Sequence, residues 1–260
     1  MNLHAVQLIA RTVLLEAVRR KEVYSVVLGS LVLIGGVMTI DFFGLEGISK
    51  FYREAALKIM GIATALTVIF LGARQLPREF ETRTIYTLLA KPVSRLEFLS
   101  GKLLGVLFSA AFCFGLFMLA YLIGAFYIGS DIPWGLFAQY VYLQMLQMLI
   151  LASLSFWLSM ILNLDATVTI SILFYLLAAT LMSMATYLYF VVDPATRILL
   201  SAIIWVIPQL SLFDLSEKAV HASAWGPLGL GTMVTLTLYG LVHAGLYFGL
   251  AVRSFRRKPL

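Results

Sequence analysis

Few residues in this sequence are equipped for bond-making chemistry, and none are spaced for it. The lone cysteine, Cys113, lies inside an apolar run with no second thiol, so an internal disulfide is excluded. His4, His221 and His243 are scattered and form no metal-ligand pair at helical or loop spacing. Met145 and Met148, with Met182 and Met184, offer soft thioethers of the kind copper takes, although methionine in apolar helices is above all a gap-filler. No side chain stands beside a base in the pattern of an activated nucleophile, so neither a catalytic nor a metal site is expected. A phosphate loop of the form G-x-x-x-x-G-K-[ST] is also absent: Gly101-Lys102 lacks the upstream glycine and is followed by Leu103, so ATP and Mg would have to sit on another chain.

Two constellations remain. One is a charged stretch between residues 74 and 102. The other is a polar stripe, Tyr140, Gln144, Gln147, Ser155 and Ser159, whose spacing is close to one helical face. Amides in hydrocarbon normally face protein or a water-filled cavity, so this stripe reads equally as helix packing and as a substrate path.

The elements that position these residues follow from composition. The chain has 260 residues, 61% hydrophobic and only 12% charged, more apolar surface than one soluble core can bury. The excess must face lipid. Apolar runs near the bilayer-spanning length of about 20 residues recur at 23–40, 55–73, 103–128, 138–162, 167–192 and 228–252. In lipid each run must satisfy its own backbone groups, and these are too long and too uniformly apolar for barrel strands. The expected fold is therefore all-α: one polytopic membrane domain over 1–260 with six transmembrane helices. Residues 1–22 hold charges around a stripe of Leu3, Val6, Ile9, Val13 and Ala17 and predict a helix lying along the membrane interface. No small-x-small cleavage site follows the first apolar run, so a cleavable signal is not expected.

Lysine and arginine fix the orientation. Arg11, Arg19, Arg20 and Lys21 precede the first span, Arg74 to Lys102 lie between the second and third, and Arg253 to Lys258 follow the last. Lys50, Arg53, Lys58, Arg197 and Lys218 are assigned to outer loops, diluted there by acids. Both termini and the 74–102 loop are thus expected in the cytoplasm of a cell whose inner membrane holds the chain. The net charge of +6 is a topology signal, with no nucleic-acid partner implied. Residues 196–213 are apolar enough for a seventh span, but an odd count would carry the C-terminal cations outside. They are read as part of an outer, partly re-entrant helix pair over 193–227, broken at Pro208, with Asp193 opening the first helix and Asp214 with Glu217 the second. Acids are nearly absent from the spans, which disfavours a secondary transporter or channel, the alternative functional class.

The 74–102 loop is patterned rather than slack. Pro77 suits a first helical turn; Leu76, Phe80, Ile85, Leu88 and Leu89 fall near one face, and Arg78, Glu79, Glu81 and Arg83 on the other. Pro92 disfavours helix at Lys91. Directly after it, Ser94 and Glu97 form an S-x-x-E capping box, and Val93 and Phe98 occupy the staple positions, so a second helix should start at Ser94 and run into the third span. The pair makes a lever against the membrane.

The run Arg78-Glu79-Phe80-Glu81-x-Arg83-Thr84-Ile85-Tyr86-x-Leu88-Leu89-Ala90-Lys91-Pro92-Val93-Ser94-Arg95, closed by Gly101-Lys102, resembles the hallmark of ABC-2 type exporter permeases. It looks nearest to the branch that matures the copper site of nitrous-oxide reductase, as does Pro208-Gln209-Leu210-x-x-Phe213-Asp214. The wider family often carries glycine where Arg83 stands. The resemblance implies a permease without cofactor of its own, a homodimer docked on two ABC ATPase subunits through a cytoplasmic coupling helix, with an extracytoplasmic accessory protein as a further partner. It would assign ATPase coupling to Arg78, Glu79, Glu81, Arg83, Thr84, Pro92, Arg95 and Lys102; the substrate path, read from the polar stripe itself, would take Tyr140, Gln144, Gln147 and Ser155. A solvated charged face is the plainer reading of the acids, and an interfacial anchor that of Lys102.

Overall fold

The computed structural model describes residues 3–38, 44–81, 93–194, 196–198, 201, 207–220 and 226–258, apart from the side chains of 22, 38, 44–48, 179–187, 189, 190 and 220. Every regular element in them is helical: α1 (Leu3–Ala17), α2 (Lys21–Met38), α3 (Gly44–Glu81), α4 (Arg95–Ile128), α5 (Trp134–Ile161), α6 (Leu164–Val191), a 3₁₀ turn (Leu210–Phe213), α7 (Ser216–Val220) and α8 (Leu230–Arg257). Four stretches are long and apolar enough to cross a membrane, Ser49–Glu81, Arg95–Ile128, Trp134–Ile161 and Leu230–Arg257, joined by shorter apolar ones at Val23–Val37 and Leu164–Ala178. Each of the six runs expected from sequence falls, as far as it is described, within or almost within one helix.

Local signals account for the helix ends. Ser94 caps α4 as expected: its Oγ accepts from the Glu97 N–H at 3.2 Å, and Glu97 Oε2 accepts from the Ser94 N–H at 2.9 Å. The far end of α4 closes on Gly129, whose φ of 69° is a left-handed conformation that only glycine adopts freely, and the Ser130 N–H reaches back to the Ala125 carbonyl at 2.8 Å. Asn163 caps α6 by accepting from the Ala166 N–H at 3.0 Å, leaving only a tight turn after α5.

Three sequence expectations need correcting. Pro77 does not open a separate helix: α3 runs through it to Glu81. Proline forfeits one backbone bond there, but Ala73, Gln75 and Leu76 are buried, and that packing carries the helix past the break. Lys50, Arg53 and Lys58 belong to no loop; all three sit on α3, where the Lys58 ammonium meets Asp214 at 3.0 Å and Glu217 at 3.4 Å and ties α7 and the residues just before it to α3. The stripe of α1 is turned to protein rather than lipid, with Val6, Ala10, Val13 and Ala17 buried. The opening is on α4: a Cβ at Gly101 would lie 2.9 Å from Ile9, and one at Gly105 would lie 2.5 Å from Val13 and 2.9 Å from the Ala10 carbonyl. A G-x-x-x-G pair admits a second backbone to such close approach, and apolar contact does the rest.

Among the described residues Pro208 and Gln209 lie outside any helix just before the 3₁₀ turn, and Asp193 accepts from Thr196 N–H and Oγ1–H; most of the helix expected between them lies outside the described residues. The next helix starts at Ser216, after the Ser216 N–H turns back to Asp214. At this end the molecule is knitted by Tyr52, which donates to the Tyr121 carbonyl at 2.9 Å and stacks on its ring, and by Gln139, which exchanges two bonds with the Leu228 backbone. α5 lies at the centre, against α3, α4, α6 and α8.

Candidate functional site at the charged corner

The last turns of α3, the first turns of α4 and the last turn of α8 meet at the opposite end. Lys102 is the pivot. Its side chain is 5% exposed, and its ammonium donates to Glu79 Oε1 at 2.5 Å and to Gln75 Oε1 at 3.3 Å, so an otherwise prohibitive buried charge has two acceptors from one neighbouring helix. One turn further out, Glu16 of α1 accepts from both Arg78 of α3 and Arg20. The N-terminal helix is thereby fastened to the same corner by charge, in addition to its apolar seat on α4.

Arg95 joins the last span. Its Nη1 donates to the Phe255 and Arg256 carbonyls, each at 3.0 Å. These carbonyls end α8 and have no amide ahead of them, and the guanidinium complements the negative end of the helix dipole. Phe255, fully buried, stands with its ring 6.1 Å from Phe80 of α3 and 5.9 Å from Phe98 of α4. Arg95 lies over the Phe255 ring and Lys258 over Phe80, the latter at 4.6 Å, a cation–π arrangement that shields the cage from water. Three helices are thus bolted together by two ammonium groups, one guanidinium and three phenyl rings. The arrangement holds no activated nucleophile; what it can do is transmit displacement.

Of the residues expected to act in coupling, the structure brings Arg78, Glu79, Arg95 and Lys102 together. Glu81 lies at the exposed end of α3. Arg83, Thr84 and Pro92, with Ile85, Leu88 and Leu89, lie outside the described residues. Sequence reasoning did not find Glu16, Gln75 or the Phe80–Phe98–Phe255 cage, because nothing in a linear pattern announces that the C-terminal helix returns to the corner. For the seat of α1 a signal was available, the Gly101-x-x-x-Gly105 spacing.

The polar stripe of α5 points into the molecule. Tyr140 donates to the Leu57 carbonyl of α3 at 2.9 Å. A Cβ on Gly61 would stand 3.4 Å from the Tyr140 hydroxyl and 3.7 Å from the Gln144 amide, and one on Gly72 would stand 3.1 Å from Ser155. Gln144, Gln147, Ser155 and Ser159 are all buried within the single chain. Gln147 Oε1 and Ser155 Oγ have no hydrogen-bond partner among the described residues. Met148 is buried and Met145 exposed, and the side chains of Met182 and Met184 lie outside the described residues. No three His, Cys, Asp or Glu side chains converge among the described residues.

Compared with known proteins, the sequence matches the model of a family described as ABC-2 family transporter protein, over residues 7–260. None of the curated proteins compared with the chain matches it. The finer likeness to the nitrous-oxide-reductase branch therefore stays with the motif residues alone.

Proposed function

The chain belongs to the ABC-2 transporter family, and from that premise we propose that it is the permease half of an exporter, working as a homodimer on two copies of a separate ATP-binding-cassette ATPase. The single observation that carries the reading is the corner: Lys102, Arg95 and Phe255 join the ends of α3, α4 and α8, so a push on the end of α3 reaches three membrane helices at once. Residues 82–92 complete the docking element between α3 and α4. ATP binding by the partner shifts this element, and the partner's binding energy biases an equilibrium between two arrangements of the spans. Both termini and the corner face the cytoplasm, since the cations gather there. The stretch from Asp193 to the start of α8 is an outer, partly re-entrant cap, held to α3 by Lys58. In the dimer, Tyr140, Gln144, Gln147 and Ser155 line the route of the cargo once α3 and α5 part.

The two acids then take different parts in coupling. Glu79 is engaged with Lys102 inside the permease, which leaves Glu81 as the acid offered to the ATPase. The test is co-expression of the chain with the ATP-binding-cassette protein encoded nearest to it, followed by purification on a tag carried by the permease. A stable complex is expected, and Glu81→Ala should lower ATPase retention severalfold while leaving the permease folded. Failure of any ATPase to co-purify with the unaltered chain would return the reading to a transporter without an ATPase.

A further inference from the structure

We propose that the elbow between α1 and α2 is a binding site for an anionic phospholipid, one acyl chain entering a pocket against α4 and the phosphate held by Arg19 and Lys21. The pocket is a partly open groove, almost wholly apolar, lined by Ala17 and Val18 at the end of α1, Val23 and Val27 at the start of α2, and Phe112 and Cys113 on α4. With so little polar lining it suits hydrocarbon alone.

Depth and charge select the occupant. α4 has 34 residues and is about 51 Å long, whereas the hydrocarbon core is about 30 Å thick. Since α4 ends in the tight turn at Gly129, counting back about 20 residues from Ile128 sets the other membrane boundary near Phe108 and Ser109. The pocket, reaching along α4 to Leu116, then begins at the boundary and extends into the acyl layer. Val6 and Ile9 meet Gly101 while Ala10 and Val13 meet Gly105, so α1 descends along α4 in the same direction and delivers its end to that level. The residues linking the two walls of the pocket are Arg19, Arg20, Lys21 and Glu22, three cations and one acid. Arg20 is committed to Glu16, but Arg19 and Lys21 are exposed and have no acidic partner among the described residues. Two cations at the rim, hydrocarbon below and the half-exposed Tyr24 beside them match a phosphate above an acyl chain. This site rests only on the chain lying in a membrane, so it stands or falls apart from the ATPase reading.

The full-length chain would be reconstituted in nanodiscs doped with phosphatidylglycerol bearing a photoactivatable group midway along one acyl chain, or with phosphatidylcholine bearing the same group, and adducts mapped by mass spectrometry. Adducts are expected at residues 23–27 and 112–116, with the anionic lipid in excess over the zwitterionic one. Arg19→Gln with Lys21→Gln should lower that excess by about an order of magnitude, the effect of two interfacial cations, and Val27→Trp should remove the adducts by filling the pocket. Equal labelling by the two lipids would overturn the proposal. So would adducts no denser here than on the lipid-exposed face of α8 at Leu238, Val242 and Leu246, since that is the mark of annular lipid only.

Discussion

Lys102 carries its charge almost out of reach of solvent, and its tolerance depends on Glu79 and Gln75 being in place. Removing one member of a buried pair leaves the other uncompensated, at a cost of about 3–5 kcal/mol, whereas removing both is far milder. Lys102→Met and Glu79→Gln should each lower the thermal midpoint of the detergent-solubilised protein clearly, and the double variant should regain at least half of the loss. A double variant as unstable as the sum of the singles would mean the two do not act as a pair. Arg95 makes a different kind of bond: Arg95→Lys keeps the charge but loses the planar fork over Phe255, so amide exchange in the last turn of α8 should quicken while the rest of the helix stays protected. The capping box, and the presence of Lys102 at a motif end, were readable from sequence because they are local patterns. Its partner was not, because Glu79 reads as a solvated acid until α3 and α4 are brought side by side.

At the scale of elements, the seat of α1 on α4 is made by what is missing from two positions. Gly105→Val would place a branched side chain where Val13 and the Ala10 carbonyl already lie, and overpacking of that kind costs about 1–3 kcal/mol. The expected outcome is release of α1: protease sites in 3–17 become cleavable in membranes while the remaining helices keep their helical circular dichroism. If the segment stays protected, its seat is held elsewhere, by Glu16 on Arg78 for instance. The helices themselves were legible as apolar runs, since a span in lipid has few alternatives to a helix. Their ends were less so. α3 outran the expected span in both directions, at its C-terminal end because burial of Leu76 and Gln75 overrode the proline that propensity alone would take as a boundary. The stripe of α1 was correctly identified as apolar, but periodicity cannot say whether such a face meets lipid or another helix.

For the whole molecule, the two ends are built differently. The end carrying Lys58, Asp214, Tyr52 and Gln139 is tied largely by bonds to backbone and by the two ion pairs of Lys58, while the corner concentrates cations, buried charge and an aromatic cage. Positive charge gathered at one end is the pattern from which an orientation is expected. Family membership was foreshadowed by the 78–102 pattern and is met by a match that covers nearly the whole chain. The return of α8 to the corner was invisible in sequence, because contacts between residues some 160 positions apart leave no periodic trace.

The account depends on the end of α3 being a cytosolic element that an ATPase covers. With Cys113, the only native cysteine, replaced by alanine, Glu81→Cys gives a single reporter at that end. A membrane-impermeant maleimide should fail to label it in intact cells, label it readily in inside-out vesicles, and lose access when the ATPase subunit is bound. Labelling in intact cells would place the corner on the outer face and contradict the account directly.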